Sequence, residues 1–292
     1  MSRGTPGVLI ITALLSASPP TRLPAQVAGD IASLSGSTRS AGMAGAGVAL
    51  VGDAGSVFAN PAAIASIRHL ALEGSYEEYP AGATLSSAAA AVGFGPFAYG
   101  IGTHVLRPAT ELGRPTDVLA LSAIVFRFGM IAVGTSVKYV REGLAVPQVE
   151  AWATDAGVAI ALFDIFALGA SVENIGGDLS AGAHLPRRTR FGFTMNFADP
   201  QGSGRLLTTV EGQWPEGRPS VIVAGAEGGM VTRGGIGLIA RIGISGRTSS
   251  IDMSPLALGA GITLGRLRLD YAYRSTSTPS GAMHRLGVRW TR

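Results

Sequence analysis

The sequence contains no cysteine, which excludes disulfide bonds and thiolate metal sites. Charged residues are scarce, at 14% of the chain, while hydrophobic residues reach 47%. Soluble domains usually carry about a quarter of charged residues. No run of eighteen apolar residues occurs, which argues against membrane-spanning helices. A chain with this composition is either unusually buried or a membrane β-barrel, whose strands need only about ten residues of alternating character.

The first 25 residues have the pattern of an export signal. Arg3 supplies positive charge, residues 8–17 (VLIITALLSA) form a short apolar core, and Ala25 offers a small residue before Gln26. The pattern predicts a signal peptide over residues 1–25, with a buried N-terminal helix as the alternative.

The net charge of the chain carries little information about its partners. Removal of residues 1–25 takes away Arg3 and Arg22, so 23 − 2 = 21 basic residues face 19 acidic ones and +4 becomes +2. No lysine-arginine stripe or aromatic platform is present, so nucleic acid is not expected as a partner.

From residue 70 onward the dominant hydrophobic period is two, which predicts β-strands. In residues 267–274 (LRLDYAYR), leucines and tyrosines alternate with arginine, aspartate and alanine. A soluble sandwich alternates in the same way, but its strands are usually five or six residues long. We predict about fourteen longer strands, at 70–79, 85–94, 97–107, 117–128, 130–142, 153–163, 165–175, 188–197, 205–214, 220–229, 234–245, 255–264, 267–275 and 282–290.

The lengths of the connections support a closed transmembrane barrel. Counted from the first hairpin, the odd connections are mostly long, whereas most even ones are tight, such as residues 95–96 and 265–266. Outer-membrane barrels have long outer loops and short periplasmic turns. The fold class predicted is therefore all-β, a closed antiparallel transmembrane β-barrel of about 14 strands in a bacterial outer membrane.

One face of each predicted strand is apolar and meets membrane lipid, so charges on the other face belong to the lumen, because they are costly against lipid. Solvation of an ordinary polar sheet face is the alternative. The predicted lumen-facing charges are Glu73, Glu77, Lys138, Glu173, Arg190, Glu211, Arg241, Arg268, Asp270 and Arg274.

Ahead of the first strand lies a segment of mostly small residues, RSAGMAGAGVALVGDAGSVFANPAAI (residues 39–64). Small residues let backbones approach closely. An eight-stranded barrel is filled by its own side chains, whereas sixteen strands leave an aqueous channel. We therefore expect this segment to fold inward and to fill part of the lumen.

The same stretch resembles the N-terminal signature of FadL-type outer-membrane transporters and the related PorV and PorQ proteins. The matching residues are Ala41, Gly42, Met43, Gly45, Ala46, Gly47, Val48, Ala49, Asp53, Asn60, Pro61 and Ala62. Residues 137–144, 169–178 and 185–193 also look like this group, so the resemblance runs loosely from Thr38 to Trp290.

The resemblance implies a fourteen-strand barrel with an N-terminal hatch, or plug, in the lumen. FadL-like members pass hydrophobic molecules, and PorV-like members serve type IX protein secretion. By analogy, Gly42, Gly45, Gly47 and Asp53 belong to the hatch motif, and Asn60, Pro61 and Ala62 form the hatch turn. Asn60 is expected to hydrogen-bond local backbone, and Pro61 to fix the bend.

No motif indicates catalysis. There is no GxSxG elbow and no HExxH, and the glycine runs lack the context of a phosphate loop. We expect no catalytic residue, metal or cofactor. The predicted organisation is a signal peptide (1–25), a hatch (26–67) and a barrel (68–292).

Three functions remain open for this organisation. The first is passive passage of small hydrophobic molecules across the outer membrane. The second is a PorV-like role with secretion-system proteins as partners, and the third is a structural barrel with a plugged lumen.

Overall fold

The computed structural model of the protein describes residues 31–108, 116–143, 148–163, 165–178, 184–198, 204–232, 235–246, 253–276 and 281–292. The predicted signal peptide and residues 26–30 of the predicted hatch lie outside these ranges. No helix among the described residues is long and apolar enough to cross a membrane.

Fourteen antiparallel strands form a closed barrel, in which each strand pairs with its neighbours in sequence and β1 pairs with β14. The strands are β1 (Leu70–Glu78), β2 (Thr84–Phe94), β3 (Phe97–Arg107), β4 (Asp117–Phe128), β5 (Ile131–Glu142), β6 (Val149–Leu162), β7 (Phe166–Ile175), β8 (Arg188–Ala198), β9 (Gly204–Pro215), β10 (Val221–Val231), β11 (Ile236–Ser245), β12 (Met253–Leu264), β13 (Leu267–Thr276) and β14 (Ala282–Thr291). The predicted fold class and the predicted strand number are confirmed.

The largest difference from the predicted boundaries is the start of β6. The sequence predicts a start at residue 153, whereas the strand begins at Val149, directly opposite Glu142 of β5. Val149 and Ala151 are buried, so the alternation of the strand already starts at Val149. The sequence predicts a later start because Pro147, just before this stretch, favours a loop.

The outer and inner faces of the barrel differ as the alternation predicts. Large apolar side chains point outward along the strands and are exposed. Examples are Val133 and Val137 of β5 and Phe191 and Phe197 of β8. Inward positions carry small or charged side chains that are buried, such as Lys138 and Arg190. An apolar exterior on a closed barrel is the surface that a membrane requires.

The barrel has two rims. The odd rim carries the first, third and further odd connections, including residues 79–83 and 216–220. The even rim carries the even connections, including the two-residue turns 95–96, 129–130 and 265–266, together with the start of β1 and the end of β14. Sequence-adjacent pairing all round the barrel produces this division.

Residues 31–67, the inner segment, precede the barrel and lie inside it. They form a one-turn α-helix (Thr38–Ala41) and three 3-10 helices (Ile31–Ser33, Ala54–Phe58 and Pro61–Ser66). Ile64 and Val57 are fully buried in a core cluster with alanines and leucines of the wall, and Met43 and Leu50 anchor a second cluster with Leu207. The hydrophobic core is therefore the contact between the inner segment and the wall.

Candidate functional site

The Asn60–Pro61–Ala62 turn fastens the inner segment to the wall. Asn60 is fully buried, and its Oδ1 accepts a hydrogen bond of 3.0 Å from the backbone N–H of Ala62, which caps the following helix. Its Nδ2 donates to the carbonyl oxygens of Val48 (2.8 Å) and of Val158 in β6 (3.0 Å). Pro61 is the first residue of the helix, where no N–H is needed. One side chain thus joins two stretches of the inner segment and a barrel strand.

Glycines on the inner face of the barrel let the inner segment touch the wall backbone to backbone. A Cβ on Gly169 of β7 would lie 2.1 Å from the carbonyl oxygen of Val48, and one on Gly243 of β11 would lie 2.2 Å from the carbonyl carbon of Met43. Neither neighbour is a flexible side-chain end, so a larger residue displaces the segment. Gly93, Gly157 and Gly287 are similarly close to the inner segment.

Two wall carboxylates accept hydrogen bonds from the backbone of the inner segment. One oxygen of Glu211 in β9 accepts from the N–H groups of Gly47 (2.7 Å) and Val48 (2.8 Å). Glu73 of β1 accepts from the N–H of Gly55 at 2.9 Å. Both carboxylates are buried, where an unpaired N–H is costly. The bonds of Glu211 fix a stretch outside the helices of the segment, and the bond of Glu73 fixes the start of the 3-10 helix Ala54–Phe58.

A buried ion-pair network centres on Glu227 of β10. Glu227 is not among the lumen-facing charges that the sequence predicts. Arg39 of the inner segment donates to both oxygens of Glu227, at 2.8 and 2.9 Å. Arg241 donates to Glu227 at 2.7 Å and to Asp270 at 2.7 Å. Arg205 forms a further ion pair with Glu227. The network therefore spans strands β9 to β13 and holds the one-turn helix of the segment.

Asp53 of the predicted hatch motif extends this network. It accepts a hydrogen bond from Arg39 at 3.1 Å and forms an ion pair with Arg289 of β14. The three predicted motif glycines lie nearby in the chain. Gly42 faces the backbone of Gly259, Gly45 has a φ of 92°, which favours glycine, and Gly47 donates to Glu211.

The other predicted lumen charges are distributed around the wall. Glu173 pairs with Arg188 (2.5 Å) and Arg190 (3.4 Å), and Arg190 also donates to Glu211 at 2.6 Å and to the carbonyl of Gly45 at 2.9 Å.

The remaining predicted charges make fewer contacts with the inner segment. Lys138 pairs with Asp155 at 2.7 Å, within the wall, and Glu77 pairs with Arg285 at 3.2 Å. Arg268 donates to Thr263 (3.1 Å), and Arg274 to the carbonyl of Ser254 (2.7 Å).

A cavity of about 760 Å³ lies between the inner segment and the odd rim. Its floor is formed by residues of the inner segment, including Leu34, Leu50 and Phe58. Its walls are formed by apolar side chains and several arginines at the strand ends that lie at the odd rim. The wall residues include Leu106, Val221, Val223, Met253, Met283, Arg188, Arg274 and Arg285.

Glu216, in the connection between β9 and β10 at the odd rim, has a shifted pKa. A hydrogen bond from the backbone N–H of Arg187 (3.2 Å), with His184 at 3.5 Å, holds the pKa of the Glu216 carboxyl below its usual value. Among the described residues, no group of three or more histidine, aspartate or glutamate side chains is arranged to hold a metal ion.

Comparison with solved structures finds the same barrel fold in other proteins. The Pseudomonas putida toluene transporter TodX superposes with a TM-score of 0.59 at 10% identity, covering 89% of this chain and 98% of that one. A Pseudomonas aeruginosa FadL homologue gives a TM-score of 0.58 at 12% identity, covering 87% and 98%. A monoaromatic hydrocarbon channel variant of TodX gives 0.58 at 10%, covering 86% and 96%.

No family model and no curated protein matches the sequence. The solved structures confirm the predicted FadL-type resemblance as a resemblance of fold. The PorV-like and PorQ-like part of the resemblance stays a prediction.

Proposed function

We propose that this protein is a bacterial outer-membrane barrel through which small hydrophobic molecules pass without an energy source or a chemical step. The observation that carries the proposal is the cavity of about 760 Å³, whose floor is the inner segment. Ligand pockets of small molecules are commonly about 300–1,000 Å³ and mostly apolar. The transporters and channels that share the fold support the same assignment.

In this proposal residues 26–67 act as a hatch. Leu34, Leu50 and Phe58 offer apolar contacts to a molecule that enters from the odd rim, and the inner segment lies between this cavity and the even rim. Passage then requires a shift of the segment within the lumen. The hydrogen bonds of Glu211 and Asn60 set how readily that shift occurs.

The test is uptake of a small aromatic hydrocarbon, toluene, by bacterial cells with and without the protein in their outer membrane. Leu34→Trp fills the floor of the cavity and is expected to reduce the protein-dependent uptake several-fold. Leu72→Trp is the matched control, because Leu72 is 43% exposed on the outer face of β1. Equal uptake with and without the protein would contradict the proposal.

A second candidate is a component of a protein-secretion complex, with the barrel serving as a plugged scaffold. The observation that favours it is the ion-pair network around Glu227, which ties the inner segment to the wall. Recovery of secretion proteins with the full chain, from mild detergent extracts of its native membrane, would support it. Recovery of the barrel alone, together with toluene uptake, would favour the channel.

A further inference from the structure

The inner side of the even rim carries more positive than negative charge. The ion-pair network there joins Asp53, Glu227 and Asp270 with Arg39, Arg205, Arg241 and Arg289. Arg268 interacts electrostatically with Asp270, Arg39, Glu227 and Arg241. Five guanidinium groups and three carboxylates give +5 − 3 = +2.

The position of Arg268 accentuates this imbalance. Arg268 and Arg289 are direct cross-strand partners in the β13–β14 register. Like charges directly opposite each other are destabilising in a sheet. Glu73 faces Arg289 from β1, yet it accepts a hydrogen bond from the backbone of Gly55, and counting its charge still leaves an excess of +1.

Two guanidinium nitrogens of this group have no hydrogen-bond partner in the part of the chain that the structure describes. They are Nη2 of Arg241, whose side chain is fully buried, and Nη1 of Arg268. A buried, unpaired N–H of a charged group is costly, so native structures rarely leave one without a ligand, ion or water. The unpaired nitrogens and the excess charge are two independent features that a bound anion would satisfy.

Part of the group is exposed at the even rim. Arg268 is the second residue of β13, after the two-residue turn 265–266, and Arg205 is the second residue of β9. The Arg205 side chain is 39% exposed, and that of Arg289 is 13% exposed. Arg205 and Arg289 thus reach solvent there, whereas the unpaired nitrogens of Arg241 and Arg268 are buried behind them.

We propose that Arg241, Arg268 and Arg289 form a binding site for a phosphate group inside the even rim. A planar guanidinium offers paired N–H donors that match phosphate oxygens. The excess of positive charge, +2 without Glu73 and +1 with it, complements a phosphate group, which carries two negative charges in a fully ionised ester and one in a phospholipid diester. The phosphate belongs either to a free phosphate ester or to a phospholipid headgroup, and the two sources are separable by experiment.

The three proposed ligands, Arg241, Arg268 and Arg289, do not line the cavity, so phosphate binding does not depend on the proposed transport. The inner segment lies between these ligands and the cavity: Arg39 and Asp53 of that segment bind the network, and Asp53 also lines the cavity. Failure of toluene uptake therefore leaves this proposal standing, and loss of the phosphate site leaves the proposed cavity intact.

The experiment uses the purified full chain in a neutral detergent, with inorganic phosphate compared with chloride at equal ionic strength. Calorimetry measures binding, and the thermal unfolding midpoint reports stabilisation by the ligand. Arg268→Gln is expected to weaken phosphate binding about tenfold, the value of one charge-assisted hydrogen bond. Arg107→Gln is the control, because Arg107 is an exposed arginine at the odd-rim end of β3 and does not line the cavity.

A second variant guards against misfolding. Arg268→Lys keeps the charge and loses the paired donors, so its affinity is expected between those of the wild type and Arg268→Gln. Nanodiscs with phosphatidylglycerol or phosphatidylcholine form the second arm of the test. A higher midpoint in phosphatidylglycerol alone, lost in Arg268→Gln, identifies a lipid headgroup as the source.

Two results would overturn the site. One is a wild-type protein whose midpoint is the same in phosphate and chloride and in both nanodiscs. The other is an Arg268→Gln variant that binds phosphate as tightly as the wild type, which would leave an adventitious ion only.

Discussion

At the residue scale, the inner segment is fixed by polar side chains that satisfy several partners at once. The side chain of Asn60 makes three hydrogen bonds, and the carboxylate of Glu227 pairs with three arginines. In a lumen this enclosed, removal of one such group leaves its partners unpaired. The cost then exceeds the value of the lost bond.

Substitution of Asn60 tests this directly. Asn60→Ala removes the helix cap and leaves two buried carbonyls with one donor fewer each, so we expect a loss of about 1–3 kcal/mol in unfolding free energy. Asn60→Asp keeps the capping oxygen but places a carboxylate against those carbonyls. It is expected to be at least as destabilising as alanine. A tolerated aspartate in thermal unfolding would show that the cap alone matters.

Glu227→Gln tests the ion-pair network. Three arginines lose their shared counter-charge, and loss of one partner of a buried ion pair typically costs about 3–5 kcal/mol. The measurement is the denaturant midpoint of the folded band on unheated gels. Glu78→Gln, at an exposed position of β1, is the control and is expected to stay within about 0.5 kcal/mol of the wild type. Equal midpoints for both variants would contradict the central role of Glu227.

The sequence predicts part of this residue-level picture. Asn60, Asp53, Glu73 and Glu211 are each predicted, and the structure places all four in contact with the inner segment or within it. Glu227 was missed because it stands among glycines and alanines in β10, where the alternation of apolar side chains is weak. The pairing of each carboxylate with an arginine depends on the register of the strands in the barrel. A local sequence pattern does not contain that register.

At the element scale, the strands follow from the sequence because lipid and lumen impose opposite demands on alternate residues. The short helices of residues 31–67 do not follow in the same way. Their residues show no apolar period, and an isolated helix of one turn is unstable. Contacts with the wall, such as those of Gly169 and Gly243, determine their shape.

Gly169→Ala tests the fit between the inner segment and the wall. The new methyl group would overlap the Val48 carbonyl, so the segment must move, at a cost of about 1–3 kcal/mol. Hydrogen exchange of the Gly47 and Val48 amides, which bond to Glu211, is expected to accelerate in the variant. Gly228→Ala is the control, because a Cβ there has no neighbour within 4 Å. Unchanged exchange in Gly169→Ala would mean that the wall yields instead of the segment.

At the scale of the whole molecule, closure of the barrel and occupation of its lumen are separate properties. Closure depends on the fourteen strand pairings, all between sequence neighbours except for β1 with β14, and the strand pattern predicts it. Occupation depends on a segment that contributes no strand to the sheet. We therefore expect changes in the inner segment to alter the filling of the lumen but to leave the strand pairings of the wall in place.

Deletion of residues 39–64 separates the two properties. The wall keeps its strand pairings, so the variant is expected to retain the folded, faster-migrating band on unheated gels. Its lumen loses the side chains and backbone that fill it, and a barrel of this width then leaves space for water. We expect steady ion conductance in planar bilayers for the deletion and little for the full chain.

The conductance of the deletion variant also discriminates between explanations of the filled lumen. If the variant folds yet stays closed, the wall side chains alone occlude the barrel, and the inner segment is not the barrier. If the full chain already conducts as much, water passes around the segment. The remaining outcome is a deletion variant that folds and conducts while the full chain stays closed. In that case the inner segment is the barrier. A passing molecule must then loosen the contacts of Asn60, Glu211 and Glu227, because these contacts hold the segment across the lumen.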